Sequence, residues 1–174
     1  LSRLYIMVLL LYQFLDVTKL CIILIGLNRI FIFNLMKNIS DTLSFNINGK
    51  GMYEITDETK NWVKKNKLLN GHLNLFILHT SASLTIMENA SSEILDDINS
   101  FFLKLVPENS SLYKHSYEGD DDMPAHIKNM LTQTSLTVPI NKGKIILGIW
   151  QGIYLFEHRY NSIKRKIMYS YIGS

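Results

Sequence analysis

The sequence predicts a single α+β domain over residues 38–174, a mainly antiparallel β-sheet or sandwich packed with helices. Three observations lead there. Short apolar segments with strand-like character recur and are joined by tight turn sequences, Asn48-Gly49-Lys50-Gly51 and Asn141-Lys142-Gly143-Lys144 among them, and short turn-linked strands favour antiparallel pairing. Between them lie segments whose apolar residues recur at helical spacing. A chain of 174 residues, 47% hydrophobic and 19% charged, has the balance of a globular protein and fits one core better than two.

In order along the chain, Thr42–Ile47 alternates as a half-buried strand should, and Asn48–Gly51 turns it. Thr56-Asp57-Glu58-Thr59 reads as a helix start with acidic first-turn residues, with Trp62, Val63 and Leu68 as its inner face and Asn70-Gly71 as its stop. Leu73–Leu78 is an apolar-rich strand ending at His79, and Ser83–Met87 is its continuation or its partner. Ala90–Leu105 is a helix whose Ile94, Leu95, Ile98, Phe101, Phe102 and Leu105 share a face, with Asn89 as a candidate cap and Pro107 just beyond its end. Glu108–Asp122 is polar and long, a surface loop of the kind that often carries function, and Asp120-Asp121-Asp122 within it also fits a solvated acidic turn. A short helix follows, with Asp122 near its cap, Pro124 and His126 in its first turn, and Met123, Ile127 and Leu131 turned inward. Ser135–Ile140, Ile145–Trp150, Ile153–Glu157 and Lys166–Ile172 complete the strands. Gly152 between the second and third of these suggests a bulge or a close backbone approach.

The first 37 residues stand apart as a hydrophobic extension. Its runs Leu4–Leu15 and Leu20–Leu27 are each shorter than the roughly 20 residues that span a bilayer, and they could join only across Asp16 and Lys19. A targeting segment or a mis-set gene start therefore ranks above a membrane anchor, and the protein is placed in the cytoplasm, or in an organelle if the segment is genuine. The single cysteine, Cys21, excludes an intrachain disulfide framework and a multi-cysteine metal site. A net charge of +3, clustered only at Lys164-Arg165-Lys166, argues against a nucleic-acid partner.

The residues able to do chemistry are histidines and carboxylates. His79 closes a strand and is followed by Thr80-Ser81-Ala82-Ser83, small and hydroxylated residues that leave space beside an imidazole. A hydrogen-bonded structural histidine fits the same pattern. Glu88 precedes the long helix, where capping is the simpler role. If the polar loop folds back, three of His79, His115, His126 and His158 can converge, and neutral imidazoles with one or two carboxylates suit a borderline divalent ion such as zinc. No tight H-E-x-x-H spacing is present. Trp150 beside Gln151 at a strand break fits one wall of a ring-binding pocket, although tryptophan is more often core. There is no phosphate-cradling glycine loop and no nucleophile elbow, which leaves acid–base or metal-assisted chemistry ahead of covalent catalysis.

The blocks His79-Thr80-Ser81-Ala82-Ser83-Leu84-Thr85, Glu88-Asn89-Ala90, Leu105-Val106-Pro107-Glu108-Asn109, Glu118–Ile127, Ser135–Ile140 and Gly148–Tyr154 occur in one order over almost everything after residue 50. In these the chain resembles the YjbQ-like (UPF0047) family. The resemblance implies a compact domain that assembles as a homotrimer with polar pockets at or near subunit interfaces. It also implies an activity of the secondary thiamine-phosphate synthase type, a transferase joining a pyrimidine diphosphate to a thiazole phosphate. On that reading His79, Glu88 and His126 are catalytic, and His79, His115 and His126 hold a divalent metal, zinc or magnesium. Ser81, Asn89, Asp122, Trp150 and Gln151 bind the small-molecule ligand. Ile149 stands where the family usually has threonine, and Met87 where a polar residue is common; each removes a pocket hydrogen bond. The competing expectation is a non-catalytic trimer that binds a metal or metabolite in the same pocket, and a third treats the histidines as interface residues.

Overall fold

Two antiparallel sheets sandwich the apolar side chains in the computed structural model, which describes residues 36–174; the N-terminal extension with Cys21 lies outside them. Residues Asn38–Gly173 form one compact unit. The elements in chain order are β1 (Lys37–Asn48), β2 (Gly51–Glu54), α1 (Thr56–Lys65), β3 (Gly71–Ile77), β4 (Ala82–Glu88), α2 (Ser92–Leu105), a 3-10 turn at Ser110–Leu112, α3 (Asp122–Leu131), β5 (Ser135–Asn141), β6 (Lys144–Ile145), β7 (Gln151–Glu157) and β8 (Ser162–Gly173). One sheet has the order β1-β8-β3-β5-β6 and the other β2-β7-β4. The mixed α+β, mainly antiparallel expectation is met.

Alternation decides which side chains go inside. β5 reads exposed, buried, exposed through Ser135–Asn141, and its inward Leu136, Val138 and Ile140 meet Leu73, Leu75 and Ile77 of β3 and Ile167, Tyr169 and Tyr171 of β8. The smaller sheet contributes Ala82, Leu84, Ile153 and Leu155 from the opposite side. α1 closes the core with Trp62 and Val63; the Trp62 ring lies 5.4 Å from that of Tyr169.

Several details differ from the sequence reading. Ser83–Met87 neither continues nor pairs with β3: β4 runs antiparallel to β7, from Ala82 opposite Glu157 to Glu88 opposite Gln151. Residues 146–150 are not strand, because Gly148 and Gln151 close a turn through Gln151 N–H to Gly148 O (3.0 Å) and Gly148 N–H to Gln151 Oε1 (2.7 Å). α1 stops at Lys65, capped by Asn66, with Lys67 in the left-handed region at φ 51°. The cap of α2 is Ser91, whose hydroxyl accepts Glu93 N–H at 3.2 Å, rather than Asn89. No residue of α2 is fully buried, and Phe101 and Leu105 remain exposed.

α3 departs furthest from expectation. Asp122, Pro124, Ala125, Lys128 and Asn129 are its buried residues, while Leu131 is exposed. Its polar face turns inward because partners wait there: Lys128 reaches Glu108 at 2.9 Å and Asn129 Nδ2 reaches the Ala82 carbonyl at 2.5 Å. A buried polar group is tolerated only when it is so satisfied. Gly152 does sit at a close approach, since a Cβ there would fall 2.8 Å from Glu54 Oε1.

Candidate functional site

The junction of β4, β7 and α3 carries the chemistry. Where β4 begins at Ala82 and β7 ends at Glu157, the flanking segments Thr80-Ser81 and His158-Arg159-Tyr160 meet the N-terminus of α3 and the loop that precedes it. Asp122 and His126 lie one helical turn apart on α3, so helix geometry alone places them on one face. His115 comes from the loop.

Ligand atoms of His115, Asp122 and His126 all lie within 4.8 Å of one another, the group among the described residues that could hold a metal ion. Asp122 is buried, His126 partly buried and His115 exposed. His126 Nδ1 lies 2.9 Å from the Thr80 carbonyl oxygen. A carbonyl only accepts, so Nδ1 must carry the proton, and in the neutral ring Nε2 then presents a lone pair to Asp122 Oδ1 at 3.5 Å. His115 Nε2 comes within 2.9 Å of Asp122 Oδ2 without meeting hydrogen-bond geometry, and that buried oxygen has no hydrogen-bond partner. With both rings neutral and their Nε2 atoms unprotonated, acceptor atoms would face one another at the cluster.

A cationic frame holds the carboxylate in place. Arg159 Nη1 bonds Asp122 Oδ1, its Nη2 donates to the Glu118 carbonyl at 2.9 Å, and its Nε lies 3.3 Å from Asp121 Oδ2. Asp121 also accepts Tyr160 N–H at 2.8 Å. The three aspartates are therefore not a uniformly solvated turn: Asp121 and Asp122 are buried and only Asp120 is exposed. Behind them Arg165 makes a fully buried two-point bond to Glu157, Nε to Oε2 at 2.5 Å and Nη2 to Oε1 at 2.6 Å. Arg165 Nη2 also donates to Ser81 Oγ at 3.0 Å. His158, sealed from solvent, bonds Ser83 Oγ through Nε2 at 3.0 Å and leaves Nδ1 unpartnered. Burial, then the charges of Lys128, Arg165 and Lys50, push its pKa down to about 3.

The residues named from sequence fall into three groups. His115, Asp122 and His126 converge. His79 is one residue from Thr80 but outside the cluster; its Nε2 accepts Lys166 N–H at 2.9 Å, and burial with the neighbouring Arg165 and Lys166 charges holds its pKa below the usual value. Ser81 supports Arg165. Glu88, Asn89, Trp150 and Gln151 gather at the other end of the β4–β7 ladder, with Glu88 paired to Gln151 and Asn89 N–H on the Trp150 carbonyl at 3.0 Å. At roughly 3.3 Å per residue that end is about 20 Å from the first, so the chain by itself does not bring Glu88 or Trp150 to the histidines. Sequence reasoning missed Arg159, Glu157, Glu108 and Lys128. The available signal was charge directly after the apolar run Ile153–Phe156, and the Asp122–His126 spacing on a helix.

Fold and site define an α+β sandwich protein with a histidine–aspartate cluster at one end of its smaller sheet. The profile described as UPF0047 protein YjbQ-like matches residues 41–174, and the chain belongs to that family. It is 44% identical over 128 residues to UPF0047 protein YjbQ of Escherichia coli O157:H7, covering 73% of this chain and 92% of that one. A UPF0047 protein of Synechocystis is 43% identical over 120 residues, covering 69% and 82%. Among solved structures, a YjbQ/UPF0047 protein of Clostridium acetobutylicum superposes with a TM-score of 0.64 at 34% identity, covering 75% of this chain and 97% of that one. A YbjQ-like protein of unknown function from Sulfolobus solfataricus gives 0.72 at 23% identity, covering 80% and 100%, which is likeness of fold. No helix among the described residues is long and apolar enough to cross a membrane.

Proposed function

We propose that the chain is a small-molecule enzyme whose His115, Asp122 and His126 hold a divalent cation. The observation that carries this is the convergence of His126 Nε2, a lone pair whenever the ring that the Thr80 carbonyl orients is neutral, on a buried Asp122 carboxylate whose Oδ2 is unpartnered beside His115. Such an outer hydrogen bond to a backbone carbonyl is the usual way a ligating imidazole is oriented. Two imidazoles and one carboxylate favour zinc over magnesium, which prefers all-oxygen octahedral sites. Bonds of about 2 Å put donor atoms roughly 3–4 Å apart, a small side-chain adjustment from the observed spread.

When bound, a zinc ion supplies Lewis-acid stabilisation of a developing negative charge. The chain's own residues do the rest. Arg159 fixes the Asp122 carboxylate, and His79, whose Nε2 is taken up by Lys166 N–H, offers in its neutral form a proton from Nδ1 and would act as an acid. In the specific form implied by family resemblance, the reaction joins a pyrimidine diphosphate to a thiazole phosphate with release of pyrophosphate. Trp150 and Glu88 would then enter a site only from a neighbouring subunit, which is what a homotrimer with pockets at its interfaces provides.

Calorimetric titration followed by a turnover assay tests the reading. Chelator-treated protein should bind about one zinc per chain and bind magnesium far more weakly, and the zinc-loaded protein should form thiamine phosphate at a rate that falls at least about a hundredfold in His126→Ala. Product formation unchanged in that variant would refute the catalytic assignment. Zinc binding without turnover would leave a metal- or metabolite-binding protein.

A further inference from the structure

His115 is the exposed member of the cluster and the one carried by a loop, so something must bring it to α3. Both ends of the loop are tied to the same short segment after β7. At its start, Glu108 Oε1 is bonded by Lys50 and by Lys128 (2.9 Å), and Glu108 Oε2 by the Tyr160 hydroxyl (2.7 Å). At its end, Tyr160 N–H holds Asp121 and the Arg159 guanidinium holds the Glu118 carbonyl. Tyr160 therefore grips both ends, by its hydroxyl and by its backbone. The Lys50 ammonium lies 3.8 Å over the Tyr160 ring. Lys50 is delivered there by the β1–β2 turn, where Gly49, at φ +83°, packs so closely under Tyr160 that a Cβ would come within 3.1 Å of its carbonyl oxygen. Between the anchors the loop has local support from Tyr113 Oη on the Pro107 carbonyl (3.0 Å) and Asn109 Oδ1 on Ser111 N–H (3.0 Å).

This is more than a surface ion pair. Lys128 is 2% exposed and Glu108 11% at their side chains. Burial by itself would raise the Glu108 carboxyl, but the bonds from Lys50, Tyr160 and Lys128 outweigh it and hold it below the usual range. The same bond, with burial, pushes Tyr160 up to about 12, so the hydroxyl stays a donor at any physiological pH. Charge-assisted bonds of this kind are the strong ones.

We propose that Glu108 and Tyr160, with Lys50 and Lys128, form a latch that positions His115 opposite Asp122 and His126; they are positioning residues for the cation site, and the inference rests on the metal reading above. The latch sets the geometry of one ligand without touching the ion. Partners bonded directly to a ligand typically change metal affinity about 10–100-fold, and a brace one step further out is expected at the low end of that range.

The experiment is a cycle of Glu108→Gln, His115→Ala and the double variant in the full chain, read by zinc affinity and by amide hydrogen exchange of residues 113–118 in the metal-free proteins. Glu108→Gln should weaken zinc binding by about tenfold in the parent and by nothing further in His115→Ala, and should speed exchange across the loop. Equal loss in both backgrounds, or unchanged exchange, overturns the latch. Tyr160→Phe, which leaves both lysines their carboxylate, is the second variant should Glu108→Gln fold poorly, and a smaller change in the same two readouts is expected. A parent that binds no zinc refutes the metal reading, while the exchange data still decide whether Glu108 holds the loop.

Discussion

Arg165→Met is expected to destabilise the protein by about 3–5 kcal/mol, the range for removing one partner of a buried ion pair. Arg165 and Glu157 are 2% and 0% exposed at their side chains. Arg165 belongs to β8 in the larger sheet and Glu157 to β7 in the smaller, so their two-point bond ties the sheets together directly behind the site. Glu157 Oε1 also accepts Arg159 N–H at 2.9 Å. Without Arg165 that carboxylate stays buried with its main counter-charge gone, and Ser81 loses its donor. Arg165→Met/Glu157→Leu should recover much of the loss, because the cost lies in the orphaned charge rather than in the absent pair. Urea unfolding of the three proteins checks this; a loss below about 1 kcal/mol in Arg165→Met would mean that water reaches Glu157.

The second large effect is a pH dependence centred on His158. Its pKa in the folded protein is lowered from the ordinary 6.5 to about 3, by burial first and then by Lys128, Arg165 and Lys50. Between those values the unfolded chain binds a proton at this position that the folded chain refuses. The stabilising effect of the neutral ring is therefore fully present above pH 6.5 and is lost as the pH falls toward 3, at about 1.4 kcal/mol per pH unit. Between pH 6.5 and 5 this amounts to about 2 kcal/mol. His158→Gln, which can still meet Ser83 Oγ, should remove that slope while leaving the contributions of the other histidines. Equal slopes in parent and variant would contradict the burial of a neutral imidazole.

The sheet strands were legible because their burial follows simple alternation, as in Leu136, Val138 and Ile140, and α1 because Thr56–Thr59 mark its start and Thr59, Trp62 and Val63 fall at helical spacing on the buried face. α3 was misread for a physical reason. An apolar period predicts which face turns inward only when the surface it meets is apolar, and here Lys128, Asn129 and Asp122 meet Glu108, the Ala82 carbonyl and Arg159. The partners of β4 were likewise undetermined, since Leu84 and Ile86 would bury equally well in either sheet, and only the register with β7 chooses between them. The candidate site was half legible. His115 in the polar loop, and Asp122 and His126 in the block Glu118–Ile127, invite attention, but their convergence depends on Glu108, Arg159 and Tyr160, ordinary in type and, for the last two, distant in sequence. The family resemblance puts Glu88 and Trp150 in one pocket with the histidines, whereas the seven-residue strands β4 and β7 carry them to the opposite end of the smaller sheet.

The measurement that bears most directly on the histidine–aspartate cluster is native mass spectrometry with elemental analysis of the full chain after equilibration with zinc, compared with Asp122→Asn and His126→Ala. About one zinc per chain in the parent, lost in both variants while their folding is unchanged, is the predicted result. A parent that carries no zinc, or variants that retain it in full, would contradict a cation site at His115, Asp122 and His126.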